Sequence, residues 1–260
     1  MNQEVFSELV LQSQSGDASA LEQLLLQAYA PVFNLTHKIL QNHHTAEQVA
    51  RDTLEAVASN LSSLQDADQF PQWLCRMTAA RCMQAAPLLH RNFAEADMPA
   101  HWEDNLTDGA VLSEEESADA IASMVDCLPD SQRLCILLLS CGSLPIPAIA
   151  QLTGFSETSI KQNIRHGQNT IQQHLWELDS RGIQFSGVSS LTDILQESIF
   201  RDAEEQAAMV MVYDILGKKL PVPLSVWVVR LLTVIVVVLL IAALALAGVI
   251  GFKLIASMLG

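Results

Sequence analysis

Apolar residues recur at three- and four-residue steps through most of the chain, and the steps sort it into helices. Leu21, Leu24, Leu25, Ala28, Tyr29, Val32, Phe33 and Thr36 form one apolar stripe, which predicts an amphipathic helix with Pro31 inside it as a kink or a junction. Thr45 reads as the cap of a second helix, with Ala46, Val49, Thr53, Val57 and Leu61 on its apolar side and Glu47, Asp52 and Glu55 on the other. A polar loop from Ser62 to Gln69 follows. A third helix starts near Phe70, with Phe70, Trp73, Leu74, Met77 and Ala80 facing inwards. No strand alternation occurs in the first hundred residues.

A second helical unit begins at Leu128-Pro129-Asp130, where Asp130 reads as a cap for a helix carrying Leu134, Leu137 and Leu138. Cys141-Gly142-Ser143 ends it. Pro145 and Pro147 introduce a short helix through Ile149, Ala150 and Leu152, since proline is tolerated in a first turn. Gly154 makes a tight turn, and Ser156 caps a long helix with Ile160, Ile164, Gly167, Ile171 and Leu175 on one side. Gly182 to Ser190 reads as a flexible joint, and Leu191 to Leu216 as a further amphipathic helix ending at Gly217.

Charge changes the picture between the two units. Residues 101–127 carry eight acidic side chains and no basic one, including Glu114-Glu115-Glu116, and read as a solvated linker. An acidic segment of this kind can also imitate nucleic acid in a partner's basic groove. The formal charge of −15 argues against a general nucleic-acid coat, and an aromatic content of 5% argues against broad single-strand stacking. The five cysteines have no C-x-x-C spacing, and neither they nor the seven histidines fall at metal-ligand spacing. No disulfide framework, metal or cofactor is expected. No glycine-rich phosphate loop, nucleophile motif or acid–base carboxylate pair points to an enzyme.

Ala150, Gly154 and Ile160 have helix-turn-helix spacing: a small residue for close approach, a glycine for the turn, and an isoleucine that locks the second helix. That helix would present Thr158, Ser159, Lys161, Gln162, Arg165 and His166, with Glu157, to a major groove. Many helical hairpins share the pattern.

The segment Leu128-Pro-Asp-Ser-Gln-Arg-Leu, followed by Ala148-Ile-Ala-Gln-Leu-Thr-Gly-Phe-Ser-Glu-Thr-Ser-Ile-Lys, resembles region 4 of the sigma-70 family, and more narrowly its extracytoplasmic-function (ECF) type. Leu21-Glu-Gln-Leu-Leu with Tyr29-Ala-Pro-Val-Phe, then Thr45-Ala-Glu-Gln-Val-Ala-Arg-Asp-Thr-Leu and Phe70-Pro-Gln-Trp-Leu, resembles region 2 in order and spacing. The resemblance covers roughly residues 5–90 and 126–178. It implies that Glu47, Asp52 and Glu55 dock on core RNA polymerase. It implies that the loop from Asn60 to Gln69 with the following helix captures an unpaired −10 base, and that the helix from Glu157 reads the −35 element of promoter DNA. An anti-sigma-type regulator is a further partner it suggests. Charge alone makes the Glu47 face an ordinary solvated helix surface, and Trp73 alone a core aromatic. Ala148 stands where the family usually has a carboxylate, and Asn163 where it often has a basic residue. Lys161, Arg165 and His166 are few phosphate-binding groups, opposed by Glu157.

Leu231 to Phe252 holds no charged residue, and its 22 residues would span roughly 33 Å as a helix, the thickness of a hydrocarbon core. Lys218, Lys219 and Arg230 precede it and Lys253 follows. The pattern predicts a tail anchor in the membrane lipid bilayer, with the N-terminal part in the cytoplasm of a bacterium and the protein at its inner membrane. Met1 to Glu8 shows no signal peptide.

The whole expectation is an all-α protein. Residues 1–92 form a region 2-like bundle and 93–127 an acidic linker. Residues 128–180 form a region 4-like helix-turn-helix domain, 181–223 a joint and juxtamembrane helix, and 224–260 a transmembrane anchor. It would act as a membrane-tethered transcription initiation factor. A degenerate sigma-fold adaptor and a membrane-bound helix-turn-helix regulator are the other two readings.

Overall fold

A helix needs a cap and an apolar face, and α2 (Ala18–Leu40) has both. Asp17 accepts from the Ser19 and Ala20 amides, and Ala20, Leu24, Leu25, Ala28, Tyr29, Val32, Leu35 and Ile39 are buried. Pro31 is buried inside this helix, which continues through it to Leu40. The computed structural model describes residues 3–85, 106–141, 144–187, 190–201 and 205–217, and the described secondary structure is helical apart from one isolated bridge between Val111 and Gln184. The chain divides into two units, Met1–Lys218 and Lys219–Gly260; the second lies outside the described residues.

Around α2 pack α1 (Gln3–Gln14), α3 (His43–Asn60) and α4 (Phe70–Ala85). Asn42, not Thr45, caps α3: its Oδ1 accepts from the Thr45 amide at 2.9 Å and from the Thr45 hydroxyl at 2.9 Å. On α4 the buried side is Phe70, Leu74, Cys75, Thr78, Ala79, Cys82 and Met83, while Trp73, Met77 and Ala80 are half-buried. Burial pushes the Cys75 thiol up to about 12 and the Cys82 thiol up as well, so neither supplies a thiolate near neutral pH.

The acidic stretch expected to be a linker contains a core helix, α5 (Glu114–Asp126). Ser113 and Glu116 form a capping box, Glu114–Glu116 occupy the first turn, and Ser117, Ala120, Ile121, Met124 and Val125 are buried. Carboxylates favour a helix N-terminus because they complement its unpaired amides and dipole, so here acidity begins a helix. The Ser113 hydrogen bonds hold the Glu116 carboxyl below its usual range.

The second half continues with α6 (Asp130–Cys141), α7 (Ile146–Thr153) and α8 (Glu157–Ser180). Asp130 is the first residue of α6, and its carboxylate accepts from Arg133 Nη2 at 2.6 Å. The single helix expected over 191–216 is two: α9 (Leu191–Phe200) and α10 (Glu205–Ile215). Arg201 turns extended, with φ −61° and ψ 139°, and ends α9.

The two halves share one hydrophobic core. Leu35, Ile39, Val49, Cys75, Ala79 and Cys82 join residues of α5–α9 in a single cluster. A buried guanidinium ties the same junction. Arg133 donates to two C-terminal carbonyls of α2, Lys38 O at 2.9 Å and Ile39 O at 3.4 Å, and to Leu128 O at 2.8 Å just before α6. Beside it Lys38 Nζ meets Asp126 at 2.7 Å.

The localisation at a bacterial inner membrane is corrected here. No helix among the described residues is long and apolar enough to cross a membrane, and the run Leu231–Phe252 on which the anchor rested lies outside them. Even the longest described helices, α2 and α8, are amphipathic and leave polar side chains on their exposed faces.

Candidate nucleic-acid interface

The helix-turn-helix is built from α7 and α8. Pro145 precedes α7 and Pro147 lies in its first turn, where the missing amide costs no helical bond. Gly154 takes φ +72° and closes α7 by donating its amide to Ala150 O at 2.9 Å. Ser156 then starts α8, its Oγ accepting from the Ser159 amide at 3.1 Å.

One face of α8 is fixed by Ile160, Ile164, Gly167, Ile171 and Leu178, all buried. Gly167 permits close packing on α6: a Cβ there would lie 2.6 Å from Ile136 Cδ1 and 3.3 Å from Leu128 Cδ1. Ile160 sits in the same cluster as Ile149 of α7, which sets the angle between the two helices. The opposite face is bare. Thr158, Lys161, Gln162, Arg165 and His166 are exposed, together with Glu157. Ser159 is half-buried with its amide engaged in the cap. The exposed set lies in the first ten residues of α8, about 15 Å of helix.

Asn163 does not join the exposed face of α8. It is half-buried and turned towards α6, where Ser131 donates to its Oδ1 at 3.4 Å. A basic residue at this place would point into the bundle.

The second candidate face is on α3. Glu47 is half-buried and 3.5 Å from His43 Nε2; Asp52 and Glu55 are exposed. Arg51 lies between Glu47 and Glu55 on the same side and pairs with Asp214 of α10. Phe33, His37 and His43 continue this surface as a run of neighbouring rings, with Phe33 and His43 at 5.4 Å edge to face.

The segment from Asn60 to Gln69 is held in two short turns, Leu61–Ser63 and Ala67–Gln69. Gln14 of α1 donates to Leu61 O at 2.9 Å and Leu64 O at 2.8 Å, and Ser7 donates to Asp68 at 2.6 Å. Trp73 is half-buried against Phe70, with ring centres 5.9 Å apart. Sequence reasoning missed α1 as the support of this loop, Arg133 as the tie between halves, and the partner of Arg51. The run Val5, Phe6, Leu9, Val10 carried a signal for α1; the other two depend on residues far apart in the chain. Among the described residues no group of histidine, cysteine and carboxylate side chains could hold a metal ion.

No family model matches the chain. It is similar to the ECF RNA polymerase sigma factor SigW of Bacillus subtilis (strain 168), with 23% identity over 180 residues, covering 65% of this chain and 96% of that protein. The likeness supports a sigma-70/ECF-like character at this coarse level, and the helical fold is consistent with it.

Proposed function

We propose that the protein is a sigma-like transcription initiation factor that binds core RNA polymerase and directs it to promoter DNA. The observation that carries this reading is the bare N-terminal face of α8, held rigidly from behind by Ile160, Ile164 and Gly167. On this reading Lys161 and Arg165 contact phosphates, while Thr158, Gln162 and His166 face base edges. Ser159 contributes least, since its amide belongs to the cap. Glu47, Asp52 and Glu55 of α3 form the polymerase-docking face. The likeness to a sigma factor over most of that protein's length supports polymerase as the partner.

Two side chains with a permanent positive charge supply little of the affinity. Two phosphate contacts correspond to a salt slope of about −1.8, against about −10 for a strong autonomous binder. Polymerase therefore provides most of the hold on DNA. The same scarcity favours a second reading, a sigma-like adaptor that acts through protein contact alone. The full chain with Glu47→Lys and Asp52→Lys separates the readings from an independent DNA regulator. Binding to core RNA polymerase should fall at least tenfold while the helical signal is unchanged. Equal binding by the wild-type and reversed chains would rule out α3 as the docking face.

A further inference from the structure

We infer that α9 and α10 are a built-in strap, which holds the two halves closed against each other and stands against the α3 face; this rests on the polymerase and promoter reading above. Each half is gripped by its own bonds. From the first half, Asn34 of α2 donates its side-chain amide to Ile199 O at 2.8 Å and Arg201 O at 3.0 Å, and so caps the end of α9. From the second half, Ser140 O at the end of α6 accepts from Gln196 at 3.0 Å, and Asp119 of α5 accepts from Arg201 at 2.6 Å. Leu195 and Ile199 are buried in the cluster that both halves share, and Ile194 packs on Ile121 and Ala122 of α5. After α9, Ala208, Met211 and Val212 of α10 enter the separate core of α1–α4. Asp214 then pairs with Arg51, between two of the acidic residues proposed to dock polymerase.

The closed arrangement conflicts with reading two promoter elements at once. Elements centred near −10 and −35 are about 25 base pairs apart, roughly 85 Å of B-form duplex. A compact unit the length of Met1–Lys218 has a radius of gyration of about 17 Å, so it cannot place the Asn60–Gln69 loop on one element and α8 on the other. The halves must part for both contacts to form. Residues 86–105 lie between the two halves along the chain. The strap runs C-terminal to both halves, so it can detach without cutting through the helix-turn-helix or the α1–α3 bundle. Its release would also clear Asp214 from the α3 face.

The test uses the full chain, with spin labels on ketone-bearing residues introduced at Gln12 of α1 and Gln172 of α8, both exposed. The native cysteines are left untouched. The wild-type chain should give one narrow distance distribution. Ile199→Asp combined with Asn34→Ala should move a large fraction of it outward by more than about 20 Å, beyond what a unit of this size can hold. The same variant should bind core RNA polymerase at least tenfold more tightly than wild type. Should the buried substitution unfold the chain, the exposed charge reversal Asp214→Arg gives a smaller opening, and adding Arg51→Asp should close it again. A distribution that stays narrow and unmoved in folded variants overturns the strap. Opening with polymerase binding equal to that of wild type overturns its inhibitory role. Opening with no polymerase binding by either form leaves the strap standing and overturns the polymerase reading instead.

Discussion

Helices α8 and α9 begin in the same way and end in opposite situations. Ser156 and Ser190 each accept from the amide three residues on, at 3.1 Å and 3.2 Å, and each helix then buries one apolar face. The polar residues at the start of α8 meet solvent. Alongside the exposed Thr192, Asp193 and Glu197, other polar groups of α9 and its flank meet other helices: Gln196 reaches α6, Arg201 reaches α5, and Ile199 O is taken by Asn34 of α2. Caps and periodicity therefore define a helix and its buried side. They do not tell whether the remaining side is a free surface or a second seam. In this protein the free side suits recognition of a partner, and the bonded side suits holding the fold together.

The contrast yields a graded series of effects on stability. The largest belongs to Arg133, because its guanidinium is the buried tie beside the strap. Arg133→Met leaves the carbonyls of Lys38 and Leu128 without their donor, and should cost about 3 kcal/mol in a denaturant titration. Gly167→Val comes next. It adds bulk where α8 lies against Ile136 and Leu128, so it should cost about 2 kcal/mol and loosen the amides of α8 to hydrogen exchange. Asn34→Ala should cost about 1 kcal/mol, with the exchange increase confined to α9, since it removes only the cap that α2 lends. Lys161→Ala with Arg165→Ala should change stability by less than about 0.5 kcal/mol, because both side chains project from the bare face. A cost near that of Asn34→Ala for this last pair would mean that α8 is bonded like α9 and has no free face.

How far the fold could be read from the chain follows from where each determinant lies. The helix-turn-helix was legible because its signals are local: Pro147 in a first turn, Gly154 at a positive φ, Ser156 as a cap, and Ile160 and Ile164 facing the core. Helix α5 was misread because three consecutive glutamates suggested solvent. The capping box from Ser113 to Glu116 was nevertheless present in the sequence, as was the apolar step Ala120, Ile121, Met124, Val125. The end of α9 at Phe200 was not legible, since its cap comes from Asn34, far back in the chain. The same holds for Arg133, which looks like any surface arginine until α2 is placed beside it. Of the candidate site, the exposed residues of α8 were readable from periodicity; the inward turn of Asn163 and the nearness of α10 to the acidic face of α3 needed the tertiary structure.

The consequence for handling the protein is direct. Truncation at residue 180 removes Ile183, Leu195 and Ile199 from the shared core and Met211 and Val212 from the other, all of them buried. A fragment ending there exposes two apolar seams and does not represent the protein.

The most direct measurement of the central claim is initiation in a reconstituted system: full-length protein, core RNA polymerase and fragmented genomic DNA, with transcript ends mapped. Transcripts should begin at a small set of defined positions and be absent without the protein. They should be lost or strongly reduced with Lys161→Ala and Arg165→Ala, while polymerase binding is retained. Polymerase binding with no defined start sites, or start sites indifferent to both substitutions, would contradict it.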